Sequence, residues 1–205
     1  MNFLLYLRKR ASSGFHEEWR ALTQVSSKEL SFLCDRILVS PNHDDRPSAI
    51  EVQLAIIHAI SLPPEQFLTG YVEDFFMNVL DCEIHPYFRD LLDVRVSCHY
   101  FIDRKGLLTQ FVDPDKRAWH AGLSRWRGTD ACNDFSIGIE LEGSDSQNFS
   151  NLQYQKLTVL AKQLIKDYPR LSIEDFVGHS DVAPDRKTDP GPFFDWGRFR
   201  EGVRL

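Results

Sequence analysis

The sequence predicts an α/β fold of the mixed α+β kind: a single domain with a central mixed β-sheet flanked by helices, plus a helical N-terminal extension. This prediction rests on three segments. Residues 50–60 form a continuous apolar, β-branched run, residues 135–143 alternate apolar and polar side chains, and residues 150–169 repeat apolar side chains at helical spacing. The first two patterns are typical of strands and the third of an amphipathic helix. A chain of 205 residues is long enough for one sizeable core.

The first 38 residues differ in pattern from the rest of the chain. The segment "SSKELSFLCDRIL" begins at Ser26 and has Glu29 three residues later, followed by apolar residues at helical spacing. A serine followed at this distance by a glutamate is a capping box, which favours the start of a helix. We therefore expect a helical extension over residues 1–38 and a main domain over residues 39–205.

The predicted elements of the main domain follow one another along the chain. "IEVQLAIIHAI" predicts a buried central strand that ends at His58, and the prolines of "ISLPPEQF" stop it. "VEDFFMNVLDC" predicts a short helix, and "VSCHYFIDRKGLLTQFVD" predicts two strands joined in a hairpin at "DRKG". This succession of strands and helices indicates a mixed sheet with helices packed against it.

The next strand and helix have clearly different faces. In "FSIGIELEG" the side chains divide into an apolar face (Ile137, Ile139, Leu141) and a second face (Ser136, Gly138, Glu140, Glu142). In "SNLQYQKLTVLAKQLIKDYP" the apolar positions are Leu152, Leu157, Leu160, Ala161 and Leu164. These positions predict an amphipathic helix that ends before Pro169.

Charge and hydropathy exclude several classes of partner. A net charge of −6 argues against nucleic acid, which proteins bind through surplus Lys and Arg. No apolar run approaches the roughly 20 residues that cross a bilayer, so we expect no membrane partner. The N-terminal apolar patch precedes its basic residues, the reverse of a secretory signal. We therefore expect a cytoplasmic protein.

The spacing of the four cysteines is typical of a protein in a reducing compartment. Cys34, Cys82, Cys98 and Cys132 are scattered, with no C-x-x-C pair. Scattered cysteines favour reduced thiols over a disulfide framework. We expect all four to be small buried apolar residues without a role in chemistry.

The segment "VGHSDVAPDRKTDPGP", residues 177–192, combines charge with stiffness. Its three prolines each fix φ and remove a backbone donor, so the loop has few conformations. It holds His179, Lys187 and Asp189. A solvated surface loop explains the charges but not the rigidity, which favours a functional site.

His58, His179 and Asp189 together form a candidate metal site. Two imidazoles and one carboxylate are a ligand set of catalytic zinc, leaving the fourth tetrahedral position for water. Spacing alone leaves the alternative that each is an ordinary core or surface residue. Glu140 points either into a cleft or to solvent, and Lys187 is either a site residue or a surface charge.

Five motifs in the chain resemble those of a known enzyme family. They are "HAISLPP", "RVSCHYFI", "DKRAWHAG", "CNDFSIGIELEG" and "GHSDVAPDRKTDPGPFFDW". In this order, from about Ser40 to Arg200, they resemble the N-acetylmuramoyl-L-alanine amidases. This zinc amidase superfamily includes phage endolysin amidases and animal peptidoglycan recognition proteins.

The resemblance implies roles for individual residues. It implies zinc bound by His58, His179 and Asp189, with Glu140 and Lys187 as catalytic residues. Relatives from phages and animals often have cysteine at the position of Asp189. The aspartate here therefore implies the cytoplasmic recycling branch, which hydrolyses the amide between 1,6-anhydro-N-acetylmuramic acid and L-alanine.

The resemblance also implies how the substrate is bound. Arg95 would meet a carboxylate of the stem peptide, and Trp119 would give a flat apolar wall to the sugar or peptide. Their alternatives are a surface arginine and a partly buried tryptophan. Ala59 stands where the family commonly has asparagine, so a hydrogen bond from that side chain is lost. The anhydromuropeptide is the expected partner, with no obligate protein partner.

Two other functions remain open at this point. Some relatives keep the fold but lose the metal and only bind cell-wall fragments, and the presence of all five expected site residues argues against this. An exported amidase that cuts intact cell wall needs a signal or a lipoprotein cysteine, and Cys34 is poorly placed for one.

Overall fold

The computed structural model describes residues 33–205, so residues 1–32 of the predicted extension lie outside the described residues. At the end of the predicted helix, Arg36–Ile37 forms a strand instead. Its neighbours explain why: the backbone N–H of Asp35 donates to Leu108, and that of Leu38 donates to Gln110, each at 2.9 Å. Pairing with another strand satisfies these groups in place of helical hydrogen bonds. The helix prediction is wrong for these residues.

The described residues form ten strands and four α-helices. The strands are β1 (Arg36–Ile37), β2 (His43–Asp45), β3 (Leu54–Ile60), β4 (Tyr100–Ile102), β5 (Leu108–Gln110), β6 (Lys116–Ala118), β7 (Arg125–Trp126), β8 (Thr129–Asp130), β9 (Ser136–Glu142) and β10 (Phe176–Gly178). The helices are α1 (Tyr71–Phe76), α2 (Asn151–Asp167), α3 (His179–Val182) and α4 (Trp196–Arg204). Three 3₁₀ turns cover Pro86–Leu91, Cys132–Asp134 and Ile173–Asp175.

A mixed sheet of six strands forms the centre of the described fold, in the order β1-β5-β4-β9-β3-β10. The pairs β10–β3, β3–β9 and β4–β9 are parallel, whereas β4 and β5 form the predicted antiparallel hairpin. β2 pairs with β6, and β7 with β8, in two small antiparallel ribbons. The predicted mixed sheet flanked by helices is therefore confirmed.

Strand β9 is buried along its whole length. Its apolar face packs in the main core cluster together with the apolar face of α2. On the other face, Glu142 accepts hydrogen bonds from the backbone N–H groups of Leu68 and Arg104. Gly138 lies against the ring of His120. This second face is therefore buried beneath loops and not exposed on the surface.

Helix α2 is amphipathic as predicted, with one exception. Ser150 caps it in a capping box with Gln153. Leu157, Leu160, Ala161 and Leu164 are buried, but Leu152 in the first turn is 52% exposed. In the first turn the buried face is formed by Gln153 and Tyr154, and Leu152 lies outside the stripe of residues three and four apart, so including Leu152 in the buried face was wrong.

Helix α4 was not predicted from the sequence. Asp195 caps it by accepting from the backbone N–H of Arg198 at 2.9 Å. The fully buried ring of Phe199 joins the main core cluster.

The cysteines are all free thiols, and two follow the prediction. Cys98 and Cys132 are buried, whereas Cys34 and Cys82 are only half-buried. Within residues 33–205, no helix has both the length and the apolar character needed to cross a bilayer.

Candidate metal centre and active site

Two neighbouring parallel strands bring the two candidate histidines together. β10 pairs with β3 so that Gly178 lies opposite Ile57, and the next residues along the chains are His179 and His58. Both histidines therefore emerge at the same carboxyl edge of the sheet, where sites are commonly built in open sheets with parallel strands. Both are almost fully buried.

The stiff loop after α3 returns Asp189 to the same place. The backbone N–H of Ser180 donates to the carbonyl of Asp189 at 3.0 Å, which ties the end of the loop to its beginning. The carboxylate Oδ2 of Asp189 lies 3.1 Å from Nδ1 of His58 and 3.1 Å from Nδ1 of His179. The two Nδ1 atoms are 3.0 Å apart. Three potential ligand atoms thus meet at one point.

The geometry of this triangle fits a small divalent metal ion. Zinc bonds of about 2.0–2.1 Å in a tetrahedral site place neighbouring ligand atoms about 3.3 Å apart. The observed separations of 3.0–3.1 Å are close to this value. Within the described part of the chain, this is the group of His, Cys, Asp and Glu side chains whose ligand atoms converge in this way.

Contacts behind the imidazoles orient their lone pairs toward the triangle. Nε2 of His179 donates to the carbonyl oxygen of Ala121 at 3.2 Å, because a carbonyl can only accept. The Nδ1 atom of neutral His179 therefore presents a lone pair to Asp189. Nε2 of His58 lies 3.0 Å from Nδ1 of His120. Convergent lone pairs that face each other in a buried space are stabilised by a cation.

The charges of the triangle also suit a divalent cation. Burial lowers the pKa of His58, although Asp189 opposes this shift. Burial raises the pKa of Asp189, but its contacts with His179 and His58 outweigh burial and lower it overall. A metal ligand must be deprotonated, so a neutral imidazole and an ionised carboxylate are the forms required.

Glu140 lies beside the triangle because of strand register. It is opposite His58 in the β3–β9 pair. It is buried, and its Oε2 atom has no hydrogen-bond partner within the described structure. Burial raises the pKa of Glu140 well above its ordinary value, Asp189 raises it further, and Lys187 partly opposes the shift. A buried carboxyl with a free oxygen and a raised pKa is suited to move a proton.

Lys187 supplies a positive charge to this site. Its backbone N–H donates to the carbonyl of Ala183, the residue directly after α3, at 2.9 Å. Its charge lowers the pKa of both Glu140 and His58. The side chain is half-buried, so its ammonium group remains accessible to a ligand.

Arg95 and Trp119 make their hydrogen bonds outside the triangle. Arg95 is exposed, and its Nη1 donates to the carbonyls of Leu92 and Val94 in its own loop at 2.9 and 3.1 Å. The half-buried Trp119 donates its backbone N–H to the carbonyl of Asn42 at 3.3 Å and lies directly before His120. The proposed substrate roles of both residues therefore remain predictions.

His120 and Ala121, which contact the triangle and follow Trp119 in the chain, were not identified from the sequence. His120 contacts His58, and the carbonyl of Ala121 accepts from His179. A surface cavity of about 710 Å³ begins at Gly122 and is lined by side chains of both charges, among them Arg125 and Asp130. The motif "AWHAG" contains both residues, so the family resemblance could have pointed to them. No spacing rule links His120 to His58, however, because the two are 62 residues apart.

The fold and site together define a hydrolase of the N-acetylmuramoyl-L-alanine amidase class. Residues 48–192 match the family model Amidase_2, described as N-acetylmuramoyl-L-alanine amidase, and the chain belongs to this family. Its relatives include the 1,6-anhydro-N-acetylmuramyl-L-alanine amidase AmpD of Haemophilus influenzae, 47% identical over 184 residues, which are 89% of this chain and 100% of that protein. AmpD of Escherichia coli K12 is 47% identical over 165 residues, covering 80% of this chain and 90% of that protein.

Solved structures of amidases are also similar to this chain. The crystal structure of a Se-Met AmpD derivative is 46% identical with a TM-score of 0.80, covering 82% of this chain and 93% of that one. A complex of the amidase AmiD from E. coli with anhydro-N-acetylmuramic acid-L-Ala-D-γ-Glu-L-Lys is 32% identical with a TM-score of 0.56, covering 77% of this chain and 60% of that one. The family assignment made from the five sequence motifs is confirmed.

Proposed function

We propose that this chain uses one zinc ion to hydrolyse the amide bond between 1,6-anhydro-N-acetylmuramic acid and L-alanine in cytoplasmic muropeptides, as a step of peptidoglycan recycling. The observation that supports this most is the convergence of His58, His179 and Asp189 within 3.1 Å of one another. The relatives named above support the substrate, since AmpD is named as an amidase of 1,6-anhydro-N-acetylmuramyl-L-alanine and the ligand of the AmiD complex contains anhydro-N-acetylmuramic acid. The proposed partner is this anhydromuropeptide, without nucleic acid, membrane or an obligate protein partner.

His58, His179 and Asp189 would hold the zinc ion, which would lower the pKa of a bound water toward about 7 and polarise the carbonyl oxygen of the amide. Glu140 is the proposed general base: its free Oε2 atom accepts a proton from the attacking water. The same carboxyl then gives this proton to the leaving amine of L-alanine. Burial raises the pKa of Glu140 above its ordinary value, and a higher pKa makes the ionised carboxylate a stronger base for the first transfer.

Lys187 is the proposed partner of the developing oxyanion. Its ammonium group is a point charge that strengthens its interaction as the carbonyl oxygen becomes negative. Arg95 is proposed to bind a stem-peptide carboxylate, and Trp119 to pack against the sugar or peptide.

The central experiment separates metal binding from turnover. Asp189→Ala should lose zinc and activity together, because one of three ligands is removed. Glu140→Ala should keep zinc and lose turnover, because it removes only the proton acceptor. Zinc is measured by inductively coupled plasma spectrometry and hydrolysis by mass spectrometry of a purified anhydromuramyl-tripeptide, with and without chelator. Equal zinc loss in both variants would show that Glu140 is structural.

The same measurements test the other two functions. A wild-type protein that contains no zinc and leaves the tripeptide intact would be a binding protein for cell-wall fragments. A protein that digests whole sacculi faster than the anhydromuramyl-tripeptide would be a cell-wall amidase. Rapid, chelator-sensitive release of the tripeptide's L-alanine amine supports the proposal.

A further inference from the structure

His120 lies directly behind the candidate metal ligand His58. Its Nδ1 atom is 3.0 Å from Nε2 of His58, and its Nε2 atom is 3.2 Å from the hydroxyl oxygen of Ser136. The two imidazoles meet edge-on, with ring centroids 5.1 Å apart and an interplanar angle of 88°. Such a contact aims one ring's nitrogen at the other ring's nitrogen.

The far end of this chain of contacts fixes the direction of each hydrogen bond. The hydroxyl of Ser136 lies 2.6 Å from the carbonyl oxygen of Cys132 and must donate to it, because a carbonyl only accepts. The Ser136 oxygen is then free to accept from Nε2–H of His120. Neutral His120 consequently has a lone pair at Nδ1, which accepts from Nε2–H of His58. The lone pair of His58 is thus left at Nδ1, facing Asp189.

The backbone is arranged to hold His120 in this position. The side chain of Asn133 accepts from the backbone N–H groups of His120 and Ala121 at 3.2 and 2.8 Å. A Cβ atom added at Gly138 would lie 2.4 Å from Cγ of His120, so only glycine leaves room for the ring. Because the carbonyl of Ala121 accepts from His179, one short segment orients both imidazoles of the triangle.

We propose that His120 is a positioning residue that, together with Ser136 and the Cys132 carbonyl, fixes His58 in the tautomer whose Nδ1 lone pair is available to the metal. This inference deepens the proposed function and rests on it. Groups that hold a metal-ligating imidazole in one tautomer typically contribute about 10–100-fold in metal affinity. His120 contributes through His58 and has no assigned contact with substrate.

The test compares two substitutions of similar size. His120→Asn keeps an oxygen acceptor close to the position of Nδ1, whereas His120→Leu keeps the volume without an acceptor. We expect His120→Leu to lower zinc affinity about 10–100-fold, measured by competition with a chromophoric chelator. His120→Asn should recover most of that loss. His43→Leu, a histidine substitution on β2 outside these contacts, should leave zinc affinity unchanged.

A second readout does not depend on zinc or on activity. Long-range ¹H–¹⁵N spectra of the metal-free protein report which nitrogen of His58 bears the proton. We expect Nε2–H in wild type and in His120→Asn, and a mixture of tautomers in His120→Leu. Unchanged tautomer and zinc affinity in His120→Leu would overturn the inference and show that His120 only fills space.

A third variant covers the case in which His120→Leu does not fold. Ser136→Ala removes the acceptor for Nε2–H of His120 with the loss of a single oxygen, and should weaken zinc binding and mix the His58 tautomers. An unchanged His58 tautomer in Ser136→Ala would overturn the inference as well. Failure of the wild type to bind zinc would instead contradict the proposed function, so the two failures are distinguishable.

Discussion

At the scale of single residues, Glu140 shows how the proposed catalytic role of a buried carboxyl opposes the stability of the fold. Its carboxyl is buried, and one oxygen has no hydrogen-bond partner in the described structure. Its pKa in the folded protein is raised by burial. A raised carboxyl pKa means that folding favours the protonated form, so ionisation costs free energy in the folded state.

Glu140→Gln should therefore stabilise the chelator-treated protein at neutral pH. Below the unfolded pKa of the glutamate, both proteins carry a neutral group here and should unfold at similar urea concentrations. As pH rises from there through the folded pKa, wild type loses stability and the variant does not, so the difference grows. Urea unfolding of both proteins between pH 4.5 and 8 measures it. A difference that shrinks as pH rises would contradict the buried-charge explanation.

Lys187 should affect the rate of hydrolysis more than substrate binding or zinc content. Lys187→Met removes the charge but keeps a chain of similar length, and should lower kcat by about 10²–10³, since one oxyanion donor typically contributes that much. KM and zinc content should change little. Lys162→Met, an exposed lysine on α2, is the control. Loss of zinc in Lys187→Met would indicate a structural role.

The sequence predicted some of these residues better than others. The charged, proline-rich loop and the apolar strand before His58 pointed to the candidate ligands because both features are local, and the family resemblance joined them into one proposed site. Glu140 was ambiguous because alternation shows which face a residue occupies, but not what covers that face. His120 could not be found from spacing, because its contact with His58 depends on how the chain returns over the sheet.

At the scale of elements, Gln153 joins α2 to the sheet. This glutamine is fully buried, and its Nε2 donates to the carbonyls of Ile102 and Glu142 at 3.2 and 2.9 Å. Its Oε1 accepts from the backbone N–H of Ser150 at 2.9 Å. It thus satisfies backbone groups at the ends of β4 and β9 and at the start of α2.

Gln153→Leu should destabilise the protein by about 1–3 kcal/mol, because it leaves buried backbone groups without partners. The exposed neighbour Gln155 on the same helix offers a matched control, and Gln155→Leu should change the free energy of unfolding by less than about 0.5 kcal/mol. Both values come from urea unfolding at one pH. Equal effects would show that helix propensity, and not these hydrogen bonds, accounts for the loss.

The strands and the helix that were not predicted from the sequence are short or polar. β1, β2 and β6 have two or three residues each, which is too few to show a period. Helix α4 contains Gly197 and Gly202, which lower helix propensity, and its apolar contacts come from a few aromatic rings. Long elements such as α2 and β9 were predicted well because their periodicity repeats several times.

At the scale of the whole molecule, metal binding should be coupled to folding. The triangle joins residues 121 and 131 positions apart along the chain, so an unfolded chain does not hold them together. A ligand that binds only the folded state stabilises it by about 2.7 kcal/mol when its concentration is 100 times Kd.

Removing zinc with a chelator should therefore lower the Tm of wild type by several degrees. Asp189→Ala, which lacks one ligand, should show little change in Tm on the same treatment. Differential scanning calorimetry at fixed protein concentration measures both. A wild-type Tm that does not depend on chelator would contradict a zinc site formed by folding.

The position of β10 at the border of the described sheet has a further consequence. Of the three side chains in the triangle, only His58 belongs to an interior strand, whereas His179 follows the three-residue strand β10 and Asp189 lies in the loop beyond it. Short border segments detach more readily than interior strands. An ion held here would be bound on one side by an interior strand and on the other by a border strand and its loop. We therefore expect its exchange with solution to depend on local detachment of β10 and the following loop, and not on unfolding of the whole domain.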